Sequence, residues 1–135
     1  MDLGLTDRIA FVAGASSGLG RAAATELARE GCRVALCSRS EERIHAAAAA
    51  VAEEAGVDDD RLLPLACDVT DEAQIEAAVA RTVEAFGGLH VLLTNAGGPP
   101  SGGIDDFGAD DWRRALELNL MSTINLCRHA LPHLR

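Results

Sequence analysis

The sequence predicts an α/β fold: a doubly wound parallel sheet with helices on both faces. Three observations predict it. Short, continuous apolar runs alternate with longer segments of helical period, and strands that are apolar throughout belong to sheets buried on both sides. A glycine-rich turn, Gly14-Ala15-Ser16-Ser17-Gly18-Leu19-Gly20, joins the first apolar run to the first helical pattern. Helical patterns separate successive strands, and right-handed crossovers through them make the fold doubly wound.

In chain order, the first strand spans 8–13 and a helix over 19–30 follows. Leu19, Ala23 and Leu27 form its apolar ridge, and Arg21, Thr25 and Arg29 a polar one; Gly31 stops it. The second strand is 33–37. Ser40 is an N-cap, with Glu41 and Glu42 in the first turn of an Ala-rich helix running to about Ala55. Asp58-Asp59-Asp60 is a solvated loop. The third strand is 62–67, and Pro64, which lacks a donor, puts it near a sheet edge. Thr70 caps the next helix, with Asp71 and Glu72 in its first turn. Ile75, Val79, Val83 and Phe86 recur at helical spacing, and Gly87-Gly88 ends the pattern. The fourth strand is 89–94. A loop rich in Gly and Pro runs to about Gly108, and one last helix runs from about Asp110 to about His129. No repeat or linker divides the chain.

The 135 residues suffice for one domain with one core. Aromatics are only 3%, so that core is aliphatic and Ala-rich. A formal net charge of −9 argues against nucleic acid or an anionic membrane as partner. No basic segment precedes an apolar run, so no signal peptide is expected, and no run approaches a membrane span. The cysteines, Cys32, Cys37, Cys67 and Cys127, form no C-x-x-C pair and mostly sit in apolar runs. They read as reduced, buried thiols of a cytoplasmic protein, not as a metal site. The chain has no Tyr, and all 12 of its basic residues are Arg. A mechanism needing a phenol or an amine side chain is excluded for these residues.

Ligands of doubly wound folds bind beyond the carboxyl ends of the strands. The groups placed there are the 14–20 turn, Ser38-Arg39, Asp68-Val69 and Asn95-Ala96-Gly97. The turn offers backbone N–H groups and the positive end of a helix dipole to an anion, typically a phosphate. Gly14 lets the chain turn out of the strand, Gly18 admits a pyrophosphate to the backbone, and Gly20 allows close packing of helix on sheet. Ser16 and Ser17 hydrogen-bond phosphate or cap the helix. The spacing is G-x-x-x-G-x-G, a variant of the dinucleotide fingerprint. Gly14-x-Ser16-x-Gly18 also fits a nucleophile elbow, but no suitable Asp and His follow later strands. A phosphate-binding P-loop needs a Lys that the chain lacks.

With these motifs the chain resembles the short-chain dehydrogenase/reductase family. Its cofactor loop corresponds to Ala13-Gly14-Ala15-Ser16-Ser17-Gly18-Leu19-Gly20, with Ala13 in place of the usual Thr. Its N-A-G motif is Asn95-Ala96-Gly97, its adenine-contacting Asp precedes Val69 as Asp68, and its helix-four Asn is Asn119. The resemblance runs from Arg8 to the last residue and is greatest to reductases of the 3-oxoacyl-carrier-protein type. It implies a Rossmann-type βαβαβαβα portion with four strands in order 3-2-1-4. One NADP-binding domain would fill 1–135, truncated after helix four. The family's catalytic Ser and Tyr-x-x-x-Lys lie further along than this chain runs. Asn119 would then be a supporting residue without a Lys to position.

Some of these positions carry a second reading. Asp68 is either a helix-entry residue or an adenine contact, and Val69 behind it favours the contact. Asn95 closes the fourth strand and borders the cofactor. Asn119, between Leu118 and Leu120, is read as a buried amide needing partners. Trp112, Ala115 and Leu116 are core or interface, and the four His take no role. An acid at the end of the second strand would hold a ribose 2′-OH, whereas an Arg suits a 2′-phosphate. Here Ser38 and Arg39 stand there, which implies NADP(H) over NAD(H). The expected function is therefore an NADP-dependent oxidoreductase of a small carbonyl or 3-oxoacyl substrate, of which this chain is the cofactor-binding part. The alternatives are a non-catalytic dinucleotide-binding module and an inert fragment. An apolar fourth-strand edge and a last helix apolar on several faces imply a homo-oligomer.

Overall fold

Apolar runs become strands here because helices can cover them from both sides. The computed structural model describes residues 1–134. Four parallel strands, β1 (Ile9–Val12), β2 (Arg33–Ser38), β3 (Leu62–Ala66) and β4 (Val91–Leu93), form one sheet in the order β3-β2-β1-β4. Phe11 of β1 pairs with Ala35 of β2 and with Leu92 of β4, and Ala35 pairs with Leu63 of β3. This is the expected order. Pro64 lies on the edge strand, as its missing N–H requires.

The helices between strands are α1 (Gly18–Arg29), α2 (Glu41–Ala55) and α3 (Glu72–Phe86). After β4 come α4 (Ala109–Leu116), a π-helical turn (Glu117–Met121) and α5 (Ser122–Leu134). Side chains alternate along a strand, so β1 feeds two cores. Ala10 and Val12, with Val34 and Leu36, pack against Ala24 and Ala28 of α1 and Ile44 and Val51 of α2. Ile9 and Phe11, with Ala35 and Cys37, pack against Ile75 and Val79 of α3 and Leu126 and Ala130 of α5. β1 is buried throughout, and each large aliphatic side chain placed there contributes about 1.5–3 kcal/mol.

Several expectations are corrected. The buried face of α1 is Gly20, Ala24, Thr25 and Ala28, not the ridge through Leu19, which is 85% exposed. Helix phase is set by Gly20, which must face the turn. Thr25 tolerates burial because its hydroxyl donates to the Arg21 carbonyl at 3.0 Å. The cap of α3 is Asp71, whose carboxylate accepts from Ala73 and Gln74 N–H, not Thr70. The fourth strand is three residues long. The last helix is interrupted by the π turn, where the Ser122 N–H donates to the Glu117 carbonyl. Trp112 and Leu116 are half exposed and form no core. Cys32, Cys37 and Cys67 are buried, but Cys127 is exposed. Asp59–Arg61 is a 3-10 turn that exposes Asp59 and Asp60. His90, assigned no role, closes the base of β1: its Nδ1 accepts from Ile9 N–H at 3.0 Å. No helix is long and apolar enough to cross a membrane among the described residues.

Candidate functional site

At the carboxyl edge of the sheet the chain leaves β1 through a left-handed glycine, Gly14, with φ +60°. A Cβ there would lie 2.7 Å from Asn95 Nδ2. A Cβ on Gly20 would lie 2.2 Å from the Gly14 carbonyl oxygen and 2.9 Å from Asn95 Nδ2. Gly14, Gly20 and Asn95 therefore pack as one knot, in which no side chain larger than hydrogen fits at either glycine. Gly20 thus serves packing of helix on turn, where packing of helix on sheet was expected. The Asn95 amide donates to the carbonyls of Gly14 at 3.1 Å and Ala13 at 3.4 Å. The Ala15 N–H donates to the Cys37 carbonyl at 3.0 Å, which pins the turn to β2.

The knot leaves the outer side of the turn bare. Gly18 has φ +59° and a Cβ on it would meet nothing within 4 Å. Ser17 is the N-cap of α1, but its side chain makes no capping bond, and the first turn holds no acid. The first N–H groups of α1, whose orphan donors every helix must satisfy, are thus open to an outside anion. Ser16 is half-buried and Leu19 exposed beside them.

The other predicted residues flank this turn. Ser38, at the end of β2, donates its hydroxyl to the Ser40 carbonyl at 3.2 Å. Arg39 is exposed and enters no ion pair among the described residues. Asp68 Oδ1 accepts from the Thr70 hydroxyl at 2.7 Å and the Thr70 N–H at 2.9 Å. These two bonds, with Arg39 as a weaker contribution, hold the Asp68 carboxyl below the usual carboxylate range. Val69 is buried behind it. Gln74 also belongs to this corner, since its Oε1 accepts from the Asp68 N–H at 2.9 Å, a contact no sequence signal announced. Ala96 is half-buried and Gly97 exposed at the exit of β4.

Asn119 departs from its expected setting. Its side chain is exposed in the π turn, and its amide donates to the Ala115 carbonyl at 3.1 Å. The wide turn frees the Asn119 carbonyl, which accepts from the Thr123 hydroxyl at 2.9 Å. No group of three or more possible metal ligands exists among the described residues.

The family model for short chain dehydrogenases matches residues 8–135. The chain belongs to the short-chain dehydrogenase family. It is 34% identical over 128 residues to an uncharacterised oxidoreductase of Staphylococcus aureus (strain USA300), covering 95% of this chain and 53% of that one. A candidate ketoacyl reductase of Streptomyces coelicolor is 37% identical over 123 residues, covering 91% and 46%. The crystal structure of L-sorbose reductase from Gluconobacter frateurii, complexed with NADPH and L-sorbose, superposes with a TM-score of 0.90 at 34% identity. That match covers 99% of this chain and 50% of that one. A point variant of actinorhodin polyketide ketoreductase with NADPH gives a TM-score of 0.85 at 35% identity, covering 93% and 46%.

The chain thus spans about half the length of the short-chain dehydrogenases it matches. As an oxidoreductase-family half it brings together the turn, the β2 and β3 exits and Asn95. The uncapped start of α1 and the exposed Arg39, which makes no ion pair among the described residues, lie at one edge of the sheet.

Proposed function

We propose that this chain is the dinucleotide-binding part of an NADP-dependent oxidoreductase that interconverts a carbonyl and an alcohol. One observation carries the reading: the Gly14–Gly20–Asn95 knot exposes an uncapped helix N-terminus within the same sheet edge as the unpaired Arg39. The turn N–H groups and the Ser16 and Ser17 hydroxyls would hold the pyrophosphate. Asp68 and Val69 would border the adenine, and Ala96 and Gly97 the far side of the cofactor. The dinucleotide supplies the hydride when bound. Arg39 would pair with the ribose 2′-phosphate, and Ser38 puts no negative charge there to repel it. Such a charge-assisted hydrogen bond contributes about 1.5–3 kcal/mol, or roughly one to two decades of affinity. NADPH therefore binds more tightly than NADH, and Arg39→Asp removes or reverses the preference. Titration of both dinucleotides against both proteins checks this, and equal affinities in the parent chain would sink the NADP assignment.

The 3-oxoacyl class is the finer reading of the substrate, favoured by the ketoreductases among the relatives. Beside the loop after β4, Pro99, Pro100, Phe107 and Trp112 wall an apolar cavity of about 110 Å³, which suits a short carbon chain. Reduction also needs a proton donor at the developing alkoxide. The sequence holds no Tyr and no Lys, and Asn119 has no proton to give. The 1–135 domain alone is expected to bind dinucleotide weakly and to turn nothing over. Consumption of NADPH by residues 1–135 with small ketones or 3-oxoacyl thioesters would show that another acid is at work.

A second reading is a non-catalytic dinucleotide-binding module, since the uncapped start of α1 and Arg39 bear on binding alone. The coding sequence after codon 135 separates the two, since the enzyme reading requires a Ser and then Tyr-x-x-x-Lys in frame. Leu116, Leu120, Ile124 and Leu131 are 39–54% exposed from the end of α4 through the π turn into α5, and β4 pairs on one side only. Apolar surface of that extent favours a homo-oligomer over a monomer. Sedimentation as a single monomeric species would contradict this.

A further inference from the structure

Of the four cysteines, two share one core. Cys37 lies in β2 and Cys67 directly follows β3. The register pairs Cys37 with Leu65 and Ser38 with Ala66, so Cys67 stands two positions beyond the Cys37 partner. A period of two puts both thiols on one face of the sheet, and both lie in the core with Phe11, Ile75 and Val79. Each thiol shifts the other: Cys67 beside it, together with burial, pushes Cys37 up, and Cys37 beside it draws Cys67 down. Cys32 lies in the opposite core, where its thiol donates to the Leu5 carbonyl at 3.5 Å.

The backbone around this pair reaches the glycine turn. The Cys37 carbonyl accepts from Ala15 N–H at 3.0 Å, and the Ser38 carbonyl accepts from Cys67 N–H at 2.8 Å. Asp68 follows Cys67 directly. A bond between the sulfurs could not form without moving these segments. Neighbouring strands lie about 4.8 Å apart and two residues advance about 6.6 Å along a strand, which sets the two Cα atoms roughly 8 Å apart, whereas a disulfide needs them within about 4.4–6.8 Å.

We propose that Cys37 and Cys67 are a modification site, a thiol pair whose reversible oxidation to a disulfide distorts the glycine turn and weakens dinucleotide binding. Drawing the β3 exit towards Cys37 pulls on the carbonyl that anchors Ala15 and shifts Asp68. The strain makes the disulfide readily reducible, which is what a reversible switch requires. Access comes through the edge strand. The Cys67 N–H points at β2, so alternation turns the Pro64 nitrogen outwards, and no strand pairs with β3 on that side among the described residues. Local opening of such an edge admits a small oxidant.

Hydrogen peroxide suffices as oxidant. The Cys67 thiolate attacks one peroxide oxygen, the O–O bond breaks, and the departing hydroxide takes up a proton to leave as water. The Cys37 sulfur then attacks the sulfenic sulfur of Cys67, the S–O bond breaks, and the Cys37 proton leaves with a second water. Two thiols and one peroxide become one disulfide and two waters.

The coupling rests on the turn being a dinucleotide site, whereas the disulfide does not. The test uses the full chain carrying Cys127→Ser, which removes the exposed thiol. The protein is treated with peroxide, quenched, denatured for thiol counting and digested for mapping of the linkage; NADPH is titrated before oxidation, after it and after reduction by a phosphine. Two of the three remaining thiols should disappear into a Cys37–Cys67 linkage. The NADPH Kd should rise about tenfold, a usual size for coupled sites, and recover on reduction. Cys67→Ser in the same background should keep its affinity through peroxide; if that variant does not fold, recovery on reduction of the parent makes the same point. Three titratable thiols after peroxide, a different linkage, or unchanged affinity in the disulfide form would each overturn the proposal. If the reduced chain binds no NADPH, the dinucleotide reading and the coupling fail together, and the thiol count still decides the disulfide.

Discussion

Three helices start from the same edge of the sheet, and they start differently. α2 opens on Ser40, whose hydroxyl accepts from Arg43 N–H at 3.2 Å, with Glu41 and Glu42 in the first turn. α3 opens on Asp71, whose carboxylate accepts from Ala73 N–H at 3.0 Å and Gln74 N–H at 3.3 Å, with Glu72 beside it. α1 opens on Ser17 with neither a side-chain cap nor an acid. A cap contributes about 1 kcal/mol, and a first-turn carboxylate a further ~0.3–1 kcal/mol against the helix dipole. α1 forgoes both. In a chain with 21 acidic residues, the helix end that follows the central strand carries none of them. Two helix ends are completed by the chain itself, and the third has neither side-chain cap nor first-turn acid among the described residues.

The sharpest way to break this contrast is Gly20→Ala. Its Cβ would overlap the Gly14 carbonyl, a backbone atom that cannot swing aside. Dinucleotide binding should be lost, and the chain destabilised by about 1–3 kcal/mol as in other overpacked sites. Titration and thermal unfolding read the two effects. A gentler comparison exchanges the caps. Asp71→Ala should cost about 1 kcal/mol of stability and leave dinucleotide affinity alone. Ser17→Ala should do the reverse, weakening NADPH binding by several-fold with no loss of stability. Equal destabilisation by both substitutions would mean that α1 is capped like its neighbours.

The smallest effect concerns pH. The Asp68 carboxyl is depressed mainly by the Thr70 hydroxyl and then by the Thr70 N–H. A depressed acid contributes stability that is fully present above its unfolded pKa of about 3.9 and lost as pH falls through its folded value. Acid unfolding below about pH 4 should therefore be shallower in Asp68→Asn, a difference seen by following helicity during acid titration.

Strands were legible where an apolar run ended at a residue that cannot extend it, as β1 does at Gly14. The Ser40 cap was legible because Ser followed by two Glu has one local meaning. The cap of α3 was ambiguous because Thr70 and Asp71 both suit the position. The structure decides for Asp71 because the Thr70 hydroxyl is already committed to Asp68. The face of α1 was misread through Leu19, whose apolar character says core. Contact of Gly20 with Gly14 and Asn95 fixes the helix phase instead, and no local period contains that long-range packing. The positions of the turn, Asn95 and Asp68 at one edge followed from topology. Asn119 was misjudged because its neighbours Leu118 and Leu120 implied burial, whereas a π turn leaves no mark on a 3.6-residue pattern. Cys37 and Cys67 met only once the register of β2 and β3 was known.

The π turn at Glu117–Met121 holds one residue more than an α-helical turn would, and α4 before it buries none of its residues. Loss of a single codon in this stretch would restore ordinary helix and swing α4 by about 100°, while α5 kept Leu126 and Ala130 in place. Such a change would also move Leu118, which packs against the core of α3 and α5, so its cost falls mainly on that contact. The position such a deletion would carry elsewhere is that of Asn119.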